Sequence, residues 1–114
     1  IASEVVALER VKGKPNCCQI IDWNFFPKPD DVPNSVYVKM QRYATVTLWE
    51  VIENVRVDWE EAKVLFKDLL TGLANIHQSN IVHSDLKATN VFIDINTGEL
   101  VIGDFGLADV FPLT

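Results

Sequence analysis

Cysteine is scarce in this 114-residue chain: Cys17 and Cys18 are the only two, and they are adjacent. Neighbouring cysteines bridge only with strain, and no C-x-x-C or Cys/His ligand spacing surrounds them, so neither a disulfide framework nor a zinc site is expected. A reduced pair fits a cytoplasmic or nuclear location. Basic residues are also short, with Lys plus Arg at 10 against Asp plus Glu at 16, for a formal charge of -6. Tracking nucleic-acid phosphates demands the opposite sign, so no nucleic-acid partner is expected. No apolar run approaches the roughly 20 residues that cross a bilayer. The N-terminus has no basic patch leading into an apolar core, so neither a secretory signal nor a membrane partner is expected. Repeats and low-complexity tracts are lacking. Met40 is the sole methionine and the chain opens at Ile1, which reads as a processed N-terminus or as a piece of something longer.

What is present is the balance of a globular domain, with 48% hydrophobic and 23% charged residues. Disorder would need low hydrophobicity together with high net charge, and the first is missing. The length allows one small domain and argues against two.

Patterning along the chain predicts an α+β order. Residues 3–13 read as a helix that Ser3 can cap, with Val5, Leu8 and Val11 on one face and Gly13 placed to stop it. Residues 18–26 are β-branched and aromatic, a strand. A turn-rich connection through Pro27, Pro29, Asp30, Asp31, Pro33 and Asn34 leads to a second strand over residues 35–41, where Val36, Val38 and Met40 alternate. The two strands are expected to pair antiparallel. A short helix over residues 48–53 precedes a long one over 58–78, where Asp58 and Glu61 form a capping box. Ala62, Leu65, Phe66, Leu69, Leu70, Leu73 and Ile76 recur at spacings of three and four, the stripe of a buried helix face. Gly72 inside it costs about 1 kcal/mol against alanine, which implies a close approach there. A loop over 81–90 follows. A small hairpin then pairs residues 91–95 with 99–102 through the turn Asn96-Thr97-Gly98. His77 suits the C-terminal dipole of the long helix. Trp23, Trp49 and Trp59 are read as packing residues.

Chemistry concentrates after the long helix. The loop reads Ile81-Val82-His83-Ser84-Asp85-Leu86-Lys87-Ala88-Thr89-Asn90, and the hairpin ends in Gly103-Asp104-Phe105-Gly106-Leu107-Ala108. Together, in this order and with a hairpin between them, the segments resemble the catalytic loop and the D-F-G segment of protein kinases, a family whose parts are well charted. The resemblance implies a kinase-like fold in part: helix C, two strands of the N-lobe, the hinge, helices D and E, the catalytic loop and the D-F-G hairpin. Residues 1–41 would be the remnant of the N-lobe and 42–114 the start of the C-lobe.

The resemblance also implies roles. Phosphoryl transfer spreads charge over the oxygens of the moving group, so catalysis is positioning plus cationic compensation. Asp85 would face the incoming hydroxyl as base, and Lys87 would offset the charge on the transferred phosphate. Asn90 and Asp104 match the family's two Mg²⁺ ligands, hard oxygens suited to that ion. Glu4 matches the helix C glutamate that pairs with a lysine. Met40 would be the gatekeeper behind the adenine pocket of ATP, with Gln41, Arg42 and Tyr43 as the hinge. Leu8, Ile20, His83 and Phe105 would stack to tie the lobes together. The Asp-x-Lys order resembles serine/threonine kinases, and residues 4–11, 20–23 and 92–100 are similar to the Pim-type group.

Departures accompany the match. The glycine-rich phosphate loop, the strand bearing the partner lysine of Glu4, the A-P-E box and the large C-lobe helices are absent from the sequence, so the isolated chain is expected to be inactive and marginally folded. Ser84 replaces the arginine that usually clamps a phosphorylated activation loop, which puts that control in doubt. The leading expectation is a serine/threonine kinase acting, as a monomer, on protein hydroxyls; the acidic excess would suit a basic substrate. Two alternatives are a small-molecule phosphotransferase, disfavoured by Lys87 and the intact Asp104-Phe105-Gly106, and a non-catalytic kinase-like scaffold, disfavoured by intact Asp85, Lys87, Asn90 and Asp104.

Overall fold

The computed structural model describes residues 3–25, 36–41 and 45–113. Helix α1 spans Ser3–Arg10. Val11 N–H still donates to Ala7 O, and Gly13 then turns the chain at φ +79°. That left-handed conformation is one glycine adopts without steric cost, which is why the helix stops there. Strands β1 (Ile20–Phe25) and β2 (Val36–Met40) pair antiparallel with Trp23 opposite Val38, as the alternation predicts. A register irregularity lies between Ile20 and Asp22. The turn-rich connection and Tyr43 lie outside the described residues.

Strand β3 (Thr45–Thr47) leads into α2 (Leu48–Asn54), and α3 runs over Trp59–Gln78. Thr47 caps α2 and Asp58 caps α3, its carboxylate accepting Glu61 N–H at 2.8 Å. Each satisfies an amide that a helix start leaves open. Strands β4 (Ile81–Val82), β5 (Val91–Asp94), β6 (Leu100–Ile102) and β7 (Asp109–Val110) follow, with a 3-10 turn at Ala88–Asn90. The sheet order is β3-β5-β6, and β4 pairs β7 as a separate ribbon.

The core gathers Ala7 and Leu8 of α1, Val11 just after it, Ile20 of β1, Ile76 of α3 and Val91, Leu100 and Ile102 of the hairpin around Phe105. The expected α3 stripe is narrower than its spacing suggested. Leu65, Leu69 and Leu73 pack on the core and Ile76 is fully buried, whereas Phe66 and Leu70 are 60% and 50% exposed. Each lies about 100° round the helix from its inward-facing neighbour, so one residue's offset carries it off the buried face. Trp49 and Trp59 also depart from the packing role expected of them, at 51% and 74% exposed. Both sit in the first turn of a helix whose inward positions are taken by Val51 and Leu65. Trp23 does pack on the core.

Both cysteines are buried and reduced. Burial pushes the Cys17 thiol up to about 11 and the Cys18 thiol up to about 12, because the thiolate loses its hydration. The thiol form therefore persists throughout the neutral range. DTNB near pH 8 is expected to label neither cysteine in the native chain and both after denaturation, because only the thiolate attacks. Rapid labelling of native protein would contradict the burial.

Candidate active site

The loop between β4 and the 3-10 turn is built around His83, which is 2% exposed. Its Nε2 lies 2.7 Å from Gly103 O and its Nδ1 3.2 Å from Asp85 N. A carbonyl can only accept and an amide N–H can only donate, so the ring is neutral with its proton on Nε2. His83 thereby joins the Asp85 backbone to the residue just before Asp104. Its ring also meets Phe105, with centroids 5.2 Å apart. Leu8, Ile20 and Phe105 share one core cluster beside it, so the four residues expected to stack are all buried at one place.

Asp85 is held from a second side. Asn90 Nδ2 donates to Asp85 Oδ2 at 3.0 Å and to Asp85 O at 2.8 Å. The main chain of Asn90 in turn accepts Gly103 N–H at 3.0 Å. Asp85, Asn90 and the approach to Asp104 are therefore stitched together by hydrogen bonds that cross the hairpin. Lys87 Nζ stands 3.8 Å from Asp85 Oδ1, with the lysine side chain 58% exposed. Such an open pair is worth about 0–1 kcal/mol, too little to hold the ammonium against a stronger anion.

Ser84 adopts φ +70°, a sparsely populated value for serine, and Asp104 adopts φ +54°, a left-handed conformation that aspartate enters more readily than most residues. Asp104 Oδ1 accepts Gly106 N–H at 3.2 Å, which tightens the turn after it. A Cβ added at Gly106 would lie 3.1 Å from that oxygen and 3.9 Å from Glu4 Oε2. The start of α1 thus abuts the Asp104 loop. Ser84 Oγ donates to Asp109 Oδ2 at 3.0 Å, bracing β4 against β7.

The adenine side is less assembled. Met40 ends β2 opposite Ile20 and is 36% exposed, while Gln41 N–H donates to Gln19 O at 3.0 Å. Tyr43 lies outside the described residues. An apolar cavity of about 280 Å³ beside α2 is lined by Leu48, Val51, Leu65, Leu69 and Leu100 among others, and includes none of Asp85, Asn90 or Asp104. It fills a gap between helices, remote from the polar cluster. Among the described residues no group of three or more His, Cys, Asp or Glu side chains could hold a metal. The donors available are one carboxylate and one amide oxygen, since Asn90 spends its Nδ2 on Asp85 and keeps Oδ1. That sparse, hard-oxygen set fits Mg²⁺, which retains waters and shares its shell with phosphate, and does not fit a softer metal.

The family model of the protein kinase domain matches residues 1–113. This chain belongs to the protein kinase domain family. Its segment of the domain is 42% identical over 82 residues to "Probable serine/threonine-protein kinase ifkB" of Dictyostelium discoideum, across 71% of this chain and 6% of that protein. It is 41% identical over 76 residues to human mitogen-activated protein kinase 4, across 67% of this chain and 13% of that one. The solved kinase of the Cydia pomonella granulovirus superposes with a TM-score of 0.79 at 24% identity, covering 94% of this chain and 38% of that chain. The fold is accordingly part of a protein kinase fold, and the chain spans a small share of the curated relatives it matches. Those two relatives do not carry the Pim name, so the subgroup resemblance rests on the segments quoted for it.

Proposed function

We propose that this kinase segment carries the catalytic loop of a serine/threonine protein kinase. The reaction moves the γ-phosphoryl of ATP to a Ser or Thr hydroxyl of a protein: the hydroxyl oxygen bonds phosphorus, the bond to the bridging oxygen breaks, and ADP departs. Asp85 accepts the hydroxyl proton; the hydrogen bond from Asn90 Nδ2 orients its carboxylate for that task, while its backbone N–H is held by His83. Lys87, only loosely paired, turns its ammonium to the charge on the transferring group. Asn90 Oδ1 and the Asp104 carboxylate would hold Mg²⁺, which when bound neutralises the phosphate oxygens. Glu4, beside the Asp104 loop, would orient the lysine that grips ATP. Met40, Gln41 and Tyr43 would border the adenine. The acidic balance of the chain favours a basic stretch on the protein substrate, met by one monomer.

The observation that carries this reading is the continuous hydrogen-bonded path Asp85–Asn90–Gly103–His83, which delivers Asp104 to the loop that holds Asp85 and Lys87. Labelled ATP tests it in the intact protein. Transfer to Ser/Thr-containing protein is expected with Mg²⁺, and is expected to vanish with chelator or in Asp104→Asn. Undiminished transfer by Asp104→Asn would refute the assignment.

A further inference from the structure

Arg10 closes α1, six residues after Glu4, and its half-buried side chain folds back onto the chain. Nη1 lies 3.2 Å from Ser79 O, 3.3 Å from Asn80 O and 2.6 Å from Phe111 O. The first two carbonyls belong to Ser79, the C-cap of α3, and to the residue after it, at the end of a helix whose last acceptors lack intrahelical partners. The third belongs to the segment after β7, five residues past Gly106. One nitrogen therefore links three elements whose sequence positions differ by up to 101 residues.

Asn80 organises the same corner. At φ +57° its carbonyl accepts Phe111 N–H at 2.9 Å, and its Nδ2 donates to Pro112 O at 2.6 Å. The backbone polar groups of Phe111 and Pro112 are thus held from two directions, two by Asn80 and one by Arg10. Lys14 adds a second cation at this end of α3, its Nζ donating to Ser79 Oγ. The negative pole of a helix favours cations there. A guanidinium suits a cluster of carbonyls better than an ammonium does, because its donors are fixed in a planar fork.

The opposite end of α1 already abuts the Asp104 loop through Glu4. We infer that Arg10 is a positioning residue, a latch that fixes α1 to the chain following Asp104-Phe105-Gly106 so that Glu4 and Asp104 keep one relative placement. The contact stands by itself; its consequence for nucleotide binding rests on the phosphoryl-transfer reading. Movement of the segment at Phe111 reaches α1 through this side chain, in addition to the direct packing of α1 on β7.

Hydrogen exchange and steady-state kinetics of Arg10→Met and Arg10→Lys in the intact protein test the latch. Losing charge-assisted hydrogen bonds is expected to speed exchange at the Phe111 amide and in α1 at least about tenfold in Arg10→Met, with Leu69–Ile76 of α3 unchanged. The KM for ATP is expected to rise while the KM for protein substrate holds, and Arg10→Lys is expected to recover part of both effects. Unchanged exchange at Phe111 and α1 would overturn the latch. So would uniform acceleration through the middle of α3, the mark of general destabilisation. A wild-type protein without transferase activity would sink the functional reading while the exchange data still judged the latch.

Discussion

Asp85→Asn is expected to lower kcat by about 10²–10⁴, the range that a positioned proton acceptor contributes, while leaving the KM for ATP near its starting value. The substitution is conservative in shape. An amide at residue 85 keeps the N–H that meets His83 Nδ1 and the backbone carbonyl that meets Asn90 Nδ2, and its own oxygen can still accept the second proton of that amide. The loop therefore keeps its geometry, and Asn90 and Asp104 keep their oxygens for the metal. Only the negative charge and the capacity to take a proton are lost. Steady-state kinetics in the intact protein, beside a melting curve to confirm an unchanged fold, separates the two effects. An undiminished kcat would remove Asp85 from the reaction, and an equal loss in kcat/KM for ATP through KM alone would make it a binding residue.

Local chemistry was the part of this molecule that could be read in its letters. The Asp58–Glu61 cap fixed the start of α3, Gly13 fixed the stop after α1, and the Asn96-Thr97-Gly98 turn fixed the hairpin that follows the loop. The site residues were legible through their order, because His83, Asp85, Lys87 and Asn90 precede Asp104-Phe105-Gly106 across a hairpin that folds them back together. Strands β4 and β7 were not legible. Each is two residues long and pairs across 27 or 29 positions, so neither carries an alternation that marks a strand. Strand β3 escaped for the same reason, its three residues pairing with β5 across 45 positions or more. The misjudged Phe66, Leu70, Trp49 and Trp59 show the limit of apolar spacing, which tells how often a helix turns inward and not how wide its covered face is. Arg10 had no signal, since its partners are backbone carbonyls and any residue could supply them.

Gly72→Ala poses two effects of opposite sign at one position. In the middle of a helix alanine is favoured over glycine by about 1 kcal/mol, so propensity alone predicts a stabilised protein. Packing predicts the reverse. A Cβ at residue 72 would meet Asn16 O at 2.6 Å and Ile102 Cδ1 at 2.9 Å. The first contact is decisive because it is backbone. Asn16 O already accepts Ile102 N–H at 2.9 Å, Asn16 Nδ2 is bound to Leu100 O at 2.8 Å, and the residue sits at φ +63°. It cannot swing aside without loosening the edge of β6, the strand that ends at the Asp104 loop. Overpacking of this kind costs about 1–3 kcal/mol, and a rigid neighbour puts it at the upper end. The net expectation is a loss of about 1–2 kcal/mol, a fall in Tm of roughly 5 °C. Ala74, exposed on the same helix, isolates the opposing effect, since Ala74→Gly should lose about 1 kcal/mol through propensity alone. Calorimetry of the two variants in the intact protein is expected to find alanine worse than glycine at position 72 and better at position 74. A raised Tm for Gly72→Ala would mean that α3 does not approach Asn16 as closely as the helix crossing requires.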